Sequence, residues 1–207
     1  MKILINIVDV GIGNLISISN WIKSQNIQIR LIRDPESYSS GAIIIPGVSS
    51  SHNLINKLKE RSFDVLIDGV SKKEKIVGIC AGFQSLCIST EEDGVIEGLG
   101  HFPLVTKKLN QNGSGRTLWD DCTISLADLR RYNLLNKSSS RKKHIRGRVF
   151  FNHEYGVFDQ DLLDKNQDWK VENESFYSFY MKKNLIGFQF HPEKSANFGR
   201  ELIKLIK

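Results

Sequence analysis

Residues 75–84 read Lys75-Ile76-Val77-Gly78-Ile79-Cys80-Ala81-Gly82-Phe83-Gln84. An apolar run enters a glycine-bounded cysteine, and a helix is expected to begin there. Strand, tight turn and helix in that order describe a nucleophile elbow in its cysteine form. The turn is sharp, so small residues are required on both sides of the reactive side chain, which is then held above the end of a sheet. The following helix aims N–H groups and the positive end of its dipole at the thiol, an arrangement that favours thiolate. Taken alone, Gly-x-Cys-x-Gly also describes a buried structural cysteine in a glycine-bounded turn.

Working outward, the flanking elements alternate. Lys2–Val8 is a near-continuous apolar run, as expected of a parallel strand buried on both faces. Asp9-Val10-Gly11-Ile12-Gly13-Asn14 turns into a helix over Leu15–Lys23, with Leu15, Ile18 and Ile22 on one stripe. Ile27–Ile32 and Ala42–Ile45 are two further strands, and the second stops at Pro46-Gly47. Leu54–Val70 has helical spacing, with Leu54, Leu58, Val65 and Leu66 available for burial. In the second half, Arg148–Phe151 and Phe176–Met181 suit antiparallel pairing. Leu185–Phe190 is a strand ending at His191-Pro192-Glu193, and Ser195–Lys207 is a closing helix with Ser195 as its N-cap. The expectation is a single domain over residues 1–207 of α/β class, with a mostly parallel central sheet flanked by helices and added antiparallel strands. Asn110–Gly147 is the stretch that this reading places least well.

A cysteine nucleophile needs a base, and the base needs an orienter. His191 and Glu193 supply both. In an extended chain, side chains two apart point the same way, and Pro192 stiffens the link. Glu193 can then accept from one ring nitrogen of His191 and leave the other facing Cys80. Pro46-Gly47-Val48 follows a strand directly, and a glycine there lets backbone N–H groups face a reacting carbonyl, as an oxyanion hole requires. A surface histidine beside a proline turn, and a strand simply ending in Pro-Gly, are the plainer readings of those pieces taken singly. All three pieces fall just past the carboxyl ends of strands, where a doubly wound sheet places its sites.

Composition limits the function classes. Of the 207 residues, 40% are hydrophobic and 25% charged, enough to bury a core. No apolar run reaches the roughly 18 residues of a membrane span, and Asp9 follows too soon for a signal peptide. Three cysteines, Cys80, Cys87 and Cys122, without C-x-x-C spacing, make neither a disulfide framework nor a zinc ribbon. A reducing cytoplasm fits them, with Cys87 expected on the elbow helix and Cys122 on a strand. The net charge of +6 comes from Lys137–Arg148, which holds six bases and no acid; elsewhere 23 bases meet 23 acids. So confined a charge reads as a solvated loop rather than a nucleic-acid face, with docking of an acidic partner or an anionic substrate as a third reading.

Together, Gly78-Ile79-Cys80-Ala81-Gly82-Phe83-Gln84 and Gly187-Phe188-Gln189-Phe190-His191-Pro192-Glu193-Lys194-Ser195 resemble the class I (triad) glutamine amidotransferases. Asp9-x-Gly11-x-Gly13-Asn14-Leu15, Pro46-Gly47-Val48 and Gly98-Leu99-Gly100 resemble the branch that holds the glutaminase subunits of imidazole glycerol phosphate synthase and their relatives in surface-polysaccharide synthesis. The resemblance implies that Cys80 attacks the side-chain amide of L-glutamine, that His191 protonates the leaving ammonia and activates water, and that Glu193 orients His191. It implies that Gly47, Val48 and the Ala81 amide surround the oxyanion and that Gln84 sits near the substrate. His153, Glu154 and Tyr155 fall on a stretch that resembles the family's segment contacting the α-carboxylate end of glutamine. Glu154 stands where the family has serine and is expected to point away, leaving the contact to backbone groups. Ser49 replaces a family glycine after Pro46-Gly47-Val48, and Val10 replaces a tyrosine. The partner-facing segment is echoed only by Arg116-Thr117-Leu118-Trp119-Asp120.

No cofactor or metal is implied. The implied partner is a separate ammonia-accepting synthase in a heterodimer. It is either the (β/α)8 cyclase of imidazole glycerol phosphate synthase, in histidine biosynthesis, or an N-acetyl sugar amidotransferase. A stand-alone cysteine hydrolase and a non-catalytic binding subunit are the readings from other classes.

Overall fold

A computed structural model gives the structure of residues 3–23, 25, 27–109, 116–125, 144–160 and 176–207. Four short apolar strands form its centre, β1 (Leu4–Val8), β3 (Ala42–Ile45), β4 (Ile76–Ile79) and β12 (Leu185–Phe188), and the mostly exposed β2 (Gln28–Ile32) lies at one edge. With β11 (Phe179–Lys182) they make a six-stranded sheet in the order β11-β12-β4-β3-β1-β2. All neighbours run parallel except β11, which pairs antiparallel with β12.

The pleat sorts side chains to two cores. Ile44 of β3 and Val77 and Ile79 of β4 face one layer, while Ile43, Ile45 and Ile76 face the other. Helix α1 (Leu15–Lys23) covers the first layer with Ile18, Trp21 and Ile22. Trp21 Nε1 also donates to the Gly199 carbonyl at 2.8 Å, which ties α1 to the C-terminal helix α5 (Ala196–Leu202).

Helices α2 (Ser51–Glu60) and α3 (Phe63–Val70) cover the second layer. The helical spacing of the sequence predicts one helix over Leu54–Val70. A straight helix would place Phe63 about 140° around the axis from Leu58. The break at Ser62, with φ 58°, turns Phe63 and Ile67 to the sheet beside Leu54 and Leu58. Val65, expected in the core, is exposed.

The additions form two further sheets, antiparallel apart from the parallel pairing of the fifth strand with the seventh. One has the order β10-β7-β5-β6, from β5 (Ser89–Thr90), β6 (Ile96–Glu97), β7 (Leu104–Lys108) and β10 (Tyr155–Asp159). The other is a ribbon of two ten-residue strands, β8 (Arg116–Ser125) and β9 (His144–His153). The Arg148–Phe151 strand of the sequence reading is thus the middle of a longer one, and part of the unplaced stretch is its partner. Of the basic segment, Lys137–Lys143 lies outside the described residues, and His144–Arg148 begins β9. The closing helix also differs from expectation: α5 gives way to a 3-10 turn over Ile203–Leu205.

Candidate active site

Cys80 ends β4 with φ 54° and ψ −113°, a backbone conformation that non-glycine residues avoid. Its amide is held by the Phe188 carbonyl at 2.7 Å, and its own carbonyl accepts from Phe83 and Gln84 at 2.9 and 3.1 Å. The following helix, α4 (Ala81–Ser85), has five residues. So short a helix brings little of the macrodipole that the sequence led one to expect at the thiol.

The glycines allow the turn to close. A β-carbon on Gly82 would lie 2.0 Å from the Ile45 carbonyl oxygen, and one on Gly78 would lie 2.5 Å from that of Gly82. On Gly47 it would meet Gly82 N at 2.5 Å and Ala81 Cβ at 2.6 Å. The Pro46-Gly47-Val48 turn thus lies directly against the elbow, with Ala81 buried beneath it and Val48 left 54% exposed.

His191 arrives from beyond β12, anchored by its amide to the Phe150 carbonyl of β9 at 2.9 Å. Its Nδ1 and Glu193 Oε1 are 2.8 Å apart, and both side chains are almost fully buried. Pro192–Lys194 forms a 3-10 turn, so the pair meets across a turn rather than along the expected extended strand. Ser195 precedes α5 but does not cap it; its hydroxyl goes to the His191 carbonyl. Burial alone would lower the pKa of His191. Hydrogen bonds to the Cys80 sulfur and the Glu193 carboxylate, with the charges of both, outweigh it and raise the imidazole to about 10.

Cys80 lines a cavity of about 360 Å³ together with Val48, Ser49, Ser50, Gln84, Glu92, Thr117 and Asn152–Tyr155. Of the residues expected at the site, Val48, Cys80, Gln84, His153, Glu154 and Tyr155 line it. Gly47, Ala81, His191 and Glu193 do not line it. An imidazole–carboxylate pair behind a thiol, with backbone amides alongside, is equipped for acyl transfer at a carbonyl. No three His, Cys, Asp or Glu side chains among the described residues are grouped to hold a metal ion.

The family model for class I glutamine amidotransferases matches residues 6–205. This chain belongs to that family. Among curated proteins, the amidotransferase is 32% identical to imidazole glycerol phosphate synthase subunit HisH 2 of Methanococcus maripaludis, over 97% of both chains. It is 33% identical to the HisH subunit of Leptospira interrogans, over 97% of this chain and 98% of that one. Among solved structures, PurLQS from Thermotoga maritima aligns with TM-score 0.67 at 17% identity, over all of this chain and 98% of the other. A glutamine amidotransferase aligns with TM-score 0.64 at 13% identity, over 97% and 96% of the two chains. Both structures share the fold.

The amidotransferase carries a cavity residue that the sequence reading passed over. Glu92 Oε2 accepts from the Ser51 amide at 2.6 Å and from the Ser51 hydroxyl at 2.8 Å. Burial pushes the Glu92 carboxyl up; the two Ser51 hydrogen bonds oppose the rise, and Asp93 and Glu154 add to it. Its run, Glu91-Glu92-Asp93, has the composition of a solvated turn, and nothing in that run marks one acid as inward. Glu154 is exposed yet lines the same cavity, near enough for its charge to reach Glu92. Cys87 lies just past α4 and Cys122 on β8, both buried. No helix among the described residues is long and apolar enough to cross a membrane.

Proposed function

We infer that this chain hydrolyses the side-chain amide of L-glutamine to glutamate and ammonia, as the glutaminase subunit of an imidazole glycerol phosphate synthase. The observation that carries the chemistry is the buried His191–Glu193 contact of 2.8 Å behind the Cys80 sulfur at the cavity wall.

The Cys80 thiolate attacks the amide carbon and forms a C–S bond. Charge moves to the amide oxygen, which the N–H groups of Val48 and Ala81 receive, with Gly47 allowing their approach. His191, protonated and held by Glu193, gives its proton to the nitrogen; the C–N bond breaks and ammonia leaves. Water then gives a proton to His191 and attacks the thioester carbon. The C–S bond breaks, glutamate departs and the thiolate returns. Glu92 is the cavity carboxylate that meets the α-ammonium group. Gln84 and the His153–Tyr155 backbone receive the other end of the amino acid.

Ammonia released to water at neutral pH is protonated and ceases to be a nucleophile, so it must pass directly to a synthase partner. The relatives named as imidazole glycerol phosphate synthase subunits, at about a third identity over nearly full length, favour the cyclase of that enzyme as acceptor over a sugar amidotransferase. The test is glutamate and ammonia release from L-glutamine, by the chain alone and with the cyclase and its nucleotide substrate. The partner is expected to raise the rate and to incorporate the nitrogen. Hydrolysis in neither condition, or hydrolysis undiminished in Cys80→Ala, overturns the reading.

A further inference from the structure

Gln189 precedes His191 by two residues and is fully buried. A buried amide has to place an oxygen and an N–H group with chemically suitable neighbours. Its Oε1 accepts from Gln84 Nε2 at 3.3 Å, and its Nε2 donates to Cys80 Sγ at 3.9 Å. Which end is nitrogen follows from a third group. Gln84 also meets the Tyr155 carbonyl oxygen at 2.7 Å, and a carbonyl accepts only hydrogen, so that end of Gln84 is its nitrogen. A nitrogen there offers only N–H to Gln189, so the Gln189 end facing it is oxygen. The end facing the sulfur is therefore N–H, without appeal to the sulfur itself.

Three protein groups thus address the sulfur. The Asn152 carbonyl, 3.8 Å away, accepts a hydrogen bond only from the protonated thiol. His191 and the Gln189 N–H both favour the charged form. The two differ in kind: His191 must give up its proton during the reaction, whereas an amide N–H stays a donor throughout.

We propose that Gln189 is a further catalytic residue whose side-chain N–H donates to the Cys80 sulfur and stabilises the negative charge it carries as nucleophile, with Gln84 setting the orientation of the amide. The proposal rests on Cys80 being the nucleophile of glutamine hydrolysis. Gln189 does not line the cavity, so its loss is expected in kcat rather than KM.

The experiment is alkylation of Cys80 by iodoacetamide across pH, in the full chain, read from the mass of the Cys80 peptide. Burial pushes the Cys87 and Cys122 thiols up, so neither competes near neutral pH. Gln189→Met keeps the shape of the side chain and removes the N–H. It is expected to move the pH midpoint of alkylation upward by about one unit, the tenfold effect of one hydrogen bond to a charged group. With glutamine, kcat falls and KM stays within about twofold. Gln189→Glu, which sets a carboxylate against the sulfur, moves the midpoint further. A folded Gln189→Met with the parent's midpoint and kcat overturns the proposal. Should that variant not fold, Gln84→Met releases the amide instead, and an unmoved midpoint there overturns it equally. Alkylation needs no glutamine, so a failure of the glutaminase reading, seen as activity retained in Cys80→Ala, is distinguishable from a failure of the Gln189 contact.

Discussion

The hydroxyl of Ser195 donates to the carbonyl oxygen of His191 at 2.7 Å. The same hydroxyl accepts from the Phe150 amide at 3.4 Å, while the His191 amide donates to the Phe150 carbonyl at 2.9 Å. His191 is therefore fastened to β9 through its own amide and, by way of Ser195, through its carbonyl. Trp119 and Lys194 rest against the ring of Phe150, at 5.6 Å between ring centroids and 4.8 Å from Nζ to centroid. His191, the proposed catalytic base, is in this way continuous with an exposed aromatic face of the β8–β9 ribbon.

Ser195→Ala removes the buried link. The His191 carbonyl loses a partner, at a stability cost of about 1 kcal/mol. With the backbone of His191 less restrained, kcat is expected to fall several-fold while KM for glutamine changes little. Urea denaturation and glutaminase kinetics on the same variant check both halves. An unchanged kcat would show that the Phe150 bridge alone suffices to place the base.

The pairing of His191 sets a pH dependence with a definite sign. Its imidazole is raised from an ordinary 6.5 to about 10 by Cys80 and Glu193, against burial. The stability this contributes is fully present below the unfolded value and is lost as pH rises through the folded one. The parent should therefore lose melting temperature between pH 7 and 10 more steeply than Cys80→Ala, which lacks one of the two partners. Glutamine hydrolysis disappears in the same variant. Histidine NMR should show the His191 midpoint falling toward 6.5 in Cys80→Ala and in Glu193→Gln. Identical titrations in all three proteins would refute the pairing.

Glu92, proposed above as the contact for the substrate's α-ammonium group, lines the cavity and also holds the first residue of α2. Glu92→Gln keeps the shape and removes the charge. KM for glutamine is expected to rise about tenfold, the scale of one charge-assisted hydrogen bond, with a smaller change in kcat. Because burial raises the Glu92 carboxyl, the parent's KM should climb as pH falls while the carboxyl is still above the usual carboxylate range. In Glu92→Gln that limb should flatten. Glutamine analogues lacking the α-amino group should discriminate poorly between the two proteins.

How much of this was legible in the sequence depended on how each element is buried. β1, β3, β4 and β12 lie inside the sheet, so both faces are buried and each reads as an apolar run, broken only by Asn6 in β1. Cys80, Gly47, His191 and Glu193 sit at the ends of those runs, where their neighbours explain them. The β8–β9 ribbon is different. On β9, Val149, Phe151 and His153 are buried, while Arg146, Arg148 and Asn152, in the alternate positions, are exposed. That period of two is present, but the charges on its outer face made the stretch read as a basic loop. The break between α2 and α3 was hidden because Leu58 and Phe63 both look like core residues, and only their angular separation shows that one straight helix cannot bury both. Glu92 carried no local signal, since its partner Ser51 is 41 residues away in the chain.

The backbone of Cys80 offers a test that separates strain from chemistry. With φ 54° and ψ −113°, any residue with a β-carbon is disfavoured there, at a cost of about 1–3 kcal/mol. Cys80→Ala and Cys80→Gly both remove the sulfur, and neither should hydrolyse glutamine. At an ordinary position glycine would be the less stable by about 0.5–1 kcal/mol, through the entropy of the unfolded chain. Here relief of the strained turn opposes that term, so Cys80→Gly should melt at or above the temperature of Cys80→Ala. A glycine variant clearly less stable than the alanine one would mean that the elbow stores no strain and that its geometry is set by the Gly78 and Gly82 contacts alone.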